Sequence, residues 1–165
     1  MGQQDLTGGP AGASSRRRVA LAVAGVTVAV DQLTKALVVE GIGAGSVHLI
    51  GDFLQLRVTR NPGAAFSSLQ GWGVLIAIVA VSVAIFIFVL AGSAERRIEV
   101  TALGLVLGGA LGNLVDRIFR GPGVLDGAVV DFVDFSFFPS FNAADSAITI
   151  GVGLLVVASL WPRPR

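Results

Sequence analysis

The sequence predicts an all-α membrane protein, with four transmembrane helices and a small extracytoplasmic β element. Three observations carry this reading. Hydrophobic residues make up 53% of the 165 residues and charged residues only 14%, with a mean hydropathy of +0.80. A water-soluble domain carries roughly 25% charged residues, and so short a chain cannot enclose this much apolar surface in one globule. The run Trp72–Leu90 extends for 19 residues without a charge. At about 1.5 Å per residue it reaches roughly 28 Å, one hydrocarbon core. Three further apolar runs have spanning length and carry polar residues. The same composition excludes several chemistries. There is no Cys, hence no disulfide, thiol nucleophile or thiolate metal site. A single His, His48, argues against a His-based zinc site or a Ser–His pair, and a net charge of +1 offers no attraction to nucleic acid. No metal and no cofactor is expected. Chemistry falls to carboxylates, amides, hydroxyls, Lys and Arg.

Residues 1–18 are read as a disordered cytoplasmic tail and 19–162 as one four-helix membrane domain. The first span is Val19–Val39. Arg16, Arg17 and Arg18 before it imitate a signal peptide, but the run ends in Asp31-Gln32-Leu33-Thr34-Lys35 and not at a small-residue cleavage site. An uncleaved helix is the simpler reading. In the loop Glu40–Gly71, Leu54, Leu56 and Val58 alternate with Gln55, Arg57 and Thr59 within Phe53–Thr59, a strand with one apolar face. Asn61-Pro62-Gly63 ends it as a turn. The second span is Trp72–Leu90 and the third Val100–Phe119. In the loop Arg120–Phe141, Asp126-Gly127 signals a hairpin turn and Ala128–Phe132 is rich in β-branched residues. The two strand-like stretches predict a small sheet on the outer membrane surface. The fourth span is Asn142–Trp161. Trp72 and Trp161 stand at span ends as interfacial anchors. Seven of the twelve basic residues (Arg16–Arg18, Arg96, Arg97, Arg163 and Arg165) fall on one side, which places both termini in the cytoplasm.

Ionisable groups inside a span are costly and by default mark function. Asp31 and Lys35 are one turn apart on one helix face, either as a self-neutralising pair that snorkels to the interface or as support for a site. Gly104, Gly108 and Gly112 form two overlapping GxxxG repeats, a face for close helix packing. Asn113 and Arg117 are also one turn apart. Asp116, one turn from Asn113, and Arg117 pair locally or with headgroups, or Asn113 and Arg117 face inward and hold a polar substrate backbone or a carboxylate. Asn142 and Asp145 open the fourth span, where both would serve as capping residues. Asp131 is harder to dismiss, because apolar residues flank it in a strand just outside the membrane; Asp134 is read as solvated. Two carboxylates, Asp131 and Asp145, thus converge at the outer surface. Such a pair shares a proton and can act as base and acid on a water. A proton-coupled carrier is the competing class, but the charges cluster at one side and not at the midplane. A non-catalytic assembly factor would not need both carboxylates.

Five stretches in order carry a resemblance. They are Asp31–Lys35, Asn61-Pro62-Gly63-Ala64-Ala65-Phe66-Ser67, Gly108–Arg117, Val129-Val130-Asp131-Phe132 and Phe141–Asp145. Together they resemble the bacterial lipoprotein signal peptidases (signal peptidase II). The resemblance implies an intramembrane aspartyl peptidase that removes the signal peptide of a prolipoprotein just before a diacylglyceryl-modified Cys. It implies a catalytic dyad of Asp131 and Asp145, with Asn113 and Arg117 positioning substrate and Asn61, Asn142, Asp31 and Lys35 supporting. It also implies a multi-pass monomer in the bacterial cytoplasmic (inner) membrane, with its active site at the outer face. Its partners would be prolipoproteins and membrane lipids. Thirteen residues separate Asp131 from Asp145, fewer than in many members, so Phe135–Ser140 would form a short flap.

Overall fold

In a computed structural model, which describes residues 10–62, 73–123, 125 and 127–160, the order is α1 (Pro10–Ile42), β1 (Ser46–Ile50), β2 (Leu54–Asn61), α2 (Gly73–Ala91), α3 (Arg97–Phe119), β3 (Val129–Phe135), β4 (Phe138–Phe141) and α4 (Ala143–Leu160). Among the described residues, three helical segments are long and apolar enough to cross a membrane: Gly12–Ile42, Arg97–Phe119 and Ala143–Leu160. In α2 the apolar segment Ile78–Ala91 is shorter. The helices expose Val26, Leu33, Leu37, Ile85, Phe86, Val156 and other large apolar side chains, as a bundle solvated by lipid does.

The third helix is the centre of the bundle. It packs along α1, α2 and α4, whereas among the described residues α2 and α4 have no extended packing against each other. Close approach depends on missing side chains. A methyl on Gly104 would stand 2.8 Å from Val23 Cβ, and one on Gly108 would stand 2.5 Å from Thr27 Cβ, so the glycine repeat is the face that meets α1. Gly109 looks the other way, onto the Ala144 carbonyl and Ile148 of α4. The core beneath is built from small residues with a few Leu, including Ala20, Ala24, Ala91, Leu103 and Leu107.

The four strands form one antiparallel sheet in the order β1-β2-β3-β4. β2 covers most of the predicted Phe53–Thr59 strand, and β3 extends the second predicted stretch to Phe135. β1 went unpredicted, because all five of its residues are exposed at the sheet edge and no buried face marks it. The expected flap is an ordered hairpin: β3 turns at Ser136 and Phe137 into β4, and Phe135 packs against Phe53, Phe137 and Phe141.

The expected tail through Arg18 is corrected by a helix that begins at Pro10. Proline suits a helix start, where its missing N–H is no loss. The arginines are held against the bundle: Arg16 Nε and Nη2 donate to the Gly92 carbonyl at 3.0 and 2.9 Å, and Arg17 lies over the Phe88 ring. At the same end Arg96 Nη1 donates to the Ala158 carbonyl at 2.9 Å. Arg16 and Arg96 thus share one end of the bundle, opposite the sheet. The anchors Trp72 and Trp161, the stretch Gly63–Ser67, Asp126 of the hairpin signal, and Arg163 and Arg165 lie outside the described residues.

Candidate active site

At the sheet end, the C-terminal turns of α1 and α3 meet the N-terminus of α4 and the start of β3. Each element delivers polar side chains to this junction. The N-terminus of α4 is organised by a reciprocal cap. Asn142 Oδ1 accepts the Asp145 N–H at 2.9 Å, and Asp145 Oδ2 accepts the Asn142 N–H at 3.2 Å. This is the geometry of a capping box, with Asp in the place usually held by Glu. Asp31 Oδ1 accepts the next free N–H, that of Ala144, at 3.0 Å. The capping reading of Asn142 and Asp145 is therefore correct, and it coexists with a second role.

That second role lies in the groups left over. With its oxygen committed to the cap, the Asn142 amide turns its Nδ2 toward Asp131 Oδ1, 2.7 Å away. Asn61, at the end of β2, donates to the other Asp131 oxygen at 3.0 Å. Asp145 Oδ1 accepts from Asn113 Nδ2 at 2.9 Å. The two carboxylates are thus joined through Asn142, and each is also held by an Asn from a different element. Asp131 is 2% exposed and Asn142 0%. Burial pushes the Asp131 carboxyl above the ordinary carboxylate range, and the Asp145 charge adds to the rise. The Asn61 and Asn142 hydrogen bonds and the Lys35 charge oppose it.

Lys35 and Asp31 do not snorkel. Both are fully buried, and Lys35 Nζ uses all three of its donors. It reaches Asp31 Oδ2 and Asp116 Oδ2 at 2.8 Å each and Asn113 Oδ1 at 3.2 Å. Because the Asn113 oxygen accepts from Lys35 and also from Asn142 at 3.1 Å, its NH2 must face Asp145. Lys35 therefore sets the orientation of an amide that holds a candidate catalytic carboxylate.

Asp116 is the residue that sequence reasoning left as a local pair. It is fully buried and accepts from Lys35, from Gln32 Nε2 at 3.1 Å and from Arg120 Nε at 2.8 Å. Its Oδ2 also accepts the Val130 N–H at 3.0 Å, which pins the strand one residue before Asp131. A signal existed: position 116 continues the i, i+4 series of Gly104, Gly108 and Gly112, so it faces α1. Arg120, expected in a loop, caps α3 and pairs with Asp116. Asp134, expected to be solvated, is 8% exposed and accepts from Gln55, Ser140 and Arg57. The Ser140 hydrogen bond and the Arg57 charge hold its carboxyl below the ordinary range against the effect of burial.

Arg117 is half-buried and its guanidinium makes no hydrogen bond to a described residue; the carboxylates of Asp131 and Asp116 act on its charge. All eight sequence-predicted site residues, Asp31, Lys35, Asn61, Asn113, Arg117, Asp131, Asn142 and Asp145, thus gather at this end. Among the described residues no group of three His, Asp or Glu side chains is arranged to hold a metal ion.

The family model described as Signal peptidase (SPase) II matches residues 23–161. The lipoprotein signal peptidase of Rhodococcus jostii (strain RHA1) is 51% identical over 146 residues, 88% of this chain and 74% of that protein. That of Streptomyces griseus is 46% identical over 151 residues, 90% of this chain and 77% of the relative. A bacterial membrane enzyme solved by the in meso method at 1.9 Å resolution shares 33% identity and superposes with a TM-score of 0.69, covering 87% of this chain and 94% of its own. The chain belongs to the signal peptidase II family, proteases that cleave signal peptides from lipoproteins.

Proposed function

We propose that Asp131 and Asp145 are the catalytic dyad of an intramembrane aspartyl peptidase, which cuts a prolipoprotein before its diacylglyceryl-modified Cys. The observation that carries this is the Asn142 bridge: one residue holds both carboxylates, Asp131 by its side-chain amide and Asp145 by its backbone N–H, at a junction where their charges oppose each other. One carboxyl keeps a proton and the other deprotonates the attacking water. The proton then passes to the leaving amide nitrogen. Asn61 and Asn113 fix the outer faces of the two carboxylates. Arg117, with a fork of donors uncommitted to described residues, positions the substrate backbone.

In this reading all four helices cross the bacterial cytoplasmic membrane, both termini are cytoplasmic, and the dyad and sheet lie at the outer face. The arginines gathered at the opposite end of the bundle support that orientation. The enzyme acts as a monomer on a substrate that arrives laterally in the lipid. Two acyl chains on the Cys would hold the scissile bond at the depth of the dyad, so binding becomes positioning. The test is cleavage of lipidated proprotein by the purified chain in liposomes. Wild type should cut it, Asp131→Asn and Asp145→Asn should not, and an unlipidated proprotein should be cut poorly. Full turnover by Asp145→Asn would return Asp145 to capping alone.

A further inference from the structure

Where α1, α2 and α3 meet, the lipid-facing surface of the bundle carries a groove of about 320 Å³. It is lined by Leu21, Ala84, Phe88, Leu107, Leu111 and Leu114, among others, all of them apolar and none of them part of the candidate active site. Phe88 stands toward the end of the bundle opposite the sheet, and there the groove meets a cation. Arg17 precedes Leu21 by one turn on the same face of α1. Its guanidinium lies over the Phe88 ring, with Cζ 5.5 Å from the centroid. It also presses on α2: a methyl on Gly92 would stand 2.7 Å from Arg17 Nε. That Nε is buried without a hydrogen-bond partner, while the residue as a whole is half-buried. The neighbouring arginines are placed differently. Arg16 is committed to the Gly92 carbonyl, and Arg18 is exposed. Among the described residues, no carboxylate forms an ion pair with Arg17.

We propose that this groove binds an anionic phospholipid of the leaflet on the arginine side, with an acyl chain along the groove and the phosphate on Arg17. Three arguments identify the occupant. The first is charge. The Phe88 ring attracts the guanidinium but leaves its in-plane N–H donors unused. A phosphate supplies charge-assisted hydrogen bonds to that planar fork, and a guanidinium without an acceptor at the edge of the hydrocarbon is costly. A zwitterionic headgroup would bring its own cation beside Arg17, so the site selects a lipid with net negative charge. The second argument is the wall of the groove. It offers no polar group to a partner side chain, and hydrocarbon fills it without loss. The third is depth. The cation sits at the end of the bundle, where headgroups lie, and the groove leads away from it. From Phe88 to Val81 it follows α2 for about 10 Å, within the roughly 15 Å that one leaflet contributes to the hydrocarbon core. The bound lipid would join α1 to α2 at their arginine ends.

The test titrates the full chain, purified in a neutral detergent, with phosphatidylglycerol or phosphatidylcholine of identical acyl chains, and counts bound lipid by native mass spectrometry. Wild type should bind one phosphatidylglycerol about 5–10-fold more tightly than phosphatidylcholine. Arg17→Gln should bring the two lipids level, whereas Arg18→Gln should keep the difference. Leu21→Trp, which fills the groove from a position 47% exposed, should weaken both lipids. Thermal unfolding without added lipid checks that each variant is folded. A photoreactive group within the acyl chain should crosslink to Phe88, Leu107 or Leu111. Excess glycerol phosphate, the soluble headgroup alone, should displace nothing. Equal affinity of wild type for the two lipids, equal losses in the Arg17 and Arg18 variants, crosslinks away from the groove, or displacement by glycerol phosphate would each overturn the assignment. Dimers that Leu21→Trp abolishes would give the groove to a second copy of this chain instead.

Discussion

Asp131 accepts a hydrogen bond on each oxygen, and those two bonds pull against the burial that raises it. As the proton holder it would set the alkaline limb of the activity profile, since raising the pH through its elevated value removes the shared proton. Asn61→Ala deletes a bond to the charged form. Asp131 should then rise further and the alkaline limb move to higher pH, which a kcat/KM profile over about pH 5–9 would show. An unmoved limb would mean that Asp131 is not the proton holder. Asp131→Asn and Asp145→Asn should each reduce turnover by on the order of 10³-fold or more, with the double variant scarcely worse, because the pair acts as a unit. Asp134 is the contrast. Its depressed carboxyl contributes stability above the ordinary carboxylate pKa, and that contribution is lost as pH falls through its lowered value. Asp134→Asn should leave cleavage within a few-fold and lower stability by about 1 kcal/mol. Thermal unfolding and turnover measured on the same sample decide this. A dead Asp134→Asn beside an active Asp131→Asn would place that member of the dyad three residues on, at Asp134.

At the scale of elements, the glycines of α3 separate two kinds of position. A methyl at Gly109 would run into the Ala144 backbone carbonyl, and that turn of α4 carries Asp145 and the N–H held by Asp31. Gly109→Ala must push α4 away from α3. We expect a loss of about 1–3 kcal/mol, with cleavage falling further than stability. Gly25 on α1 has nothing within 4 Å of an added methyl, so Gly25→Ala should be neutral or slightly stabilising. Equal behaviour of the two variants in unfolding and turnover would remove the α3–α4 approach as the device that positions Asp145. The glycine repeat was legible as a packing face from its spacing. Which glycine served which neighbour was not, because spacing does not say which helix lies opposite. The same limit hid β1, an exposed edge whose pairing partner is set by β2 and not by its own pattern.

For the whole molecule, the charges at the sheet end are balanced within one buried network. Lys35 joins α1 to α3, Arg120 and Gln32 share Asp116, and Asp116 reaches β3 through Val130. Removing one partner leaves the others charged and buried, which costs about 3–5 kcal/mol. Lys35→Met should therefore unfold more easily by that order and lose activity through the released Asn113 amide, as unfolding in detergent and a cleavage assay would show. Wild-type stability in that variant would contradict the network. Chelators should leave cleavage intact, since the mechanism assigns every proton transfer to side chains. Loss of activity on chelation, restored by a divalent ion, would reject the aspartyl dyad.

Composition and the long apolar runs were sufficient by themselves to establish a membrane bundle, because the bilayer imposes length and hydropathy on each span independently of its neighbours. The ordered motifs likewise determined the family and the eight residues that gather at one end. Only the tertiary structure decided how those residues divide their labour. Asn142 caps α4 and also bridges Asp131 to Asp145, which requires β3 to arrive beside the helix start. Asp116 became a keystone, and Lys35 became a buried three-way donor, because α1 and α3 approach closely along their glycines. A side chain's hydrogen-bond partners lie up to 113 positions away in sequence, as for Asp31 and Ala144. Local pattern carries no information about such pairs until packing brings them together.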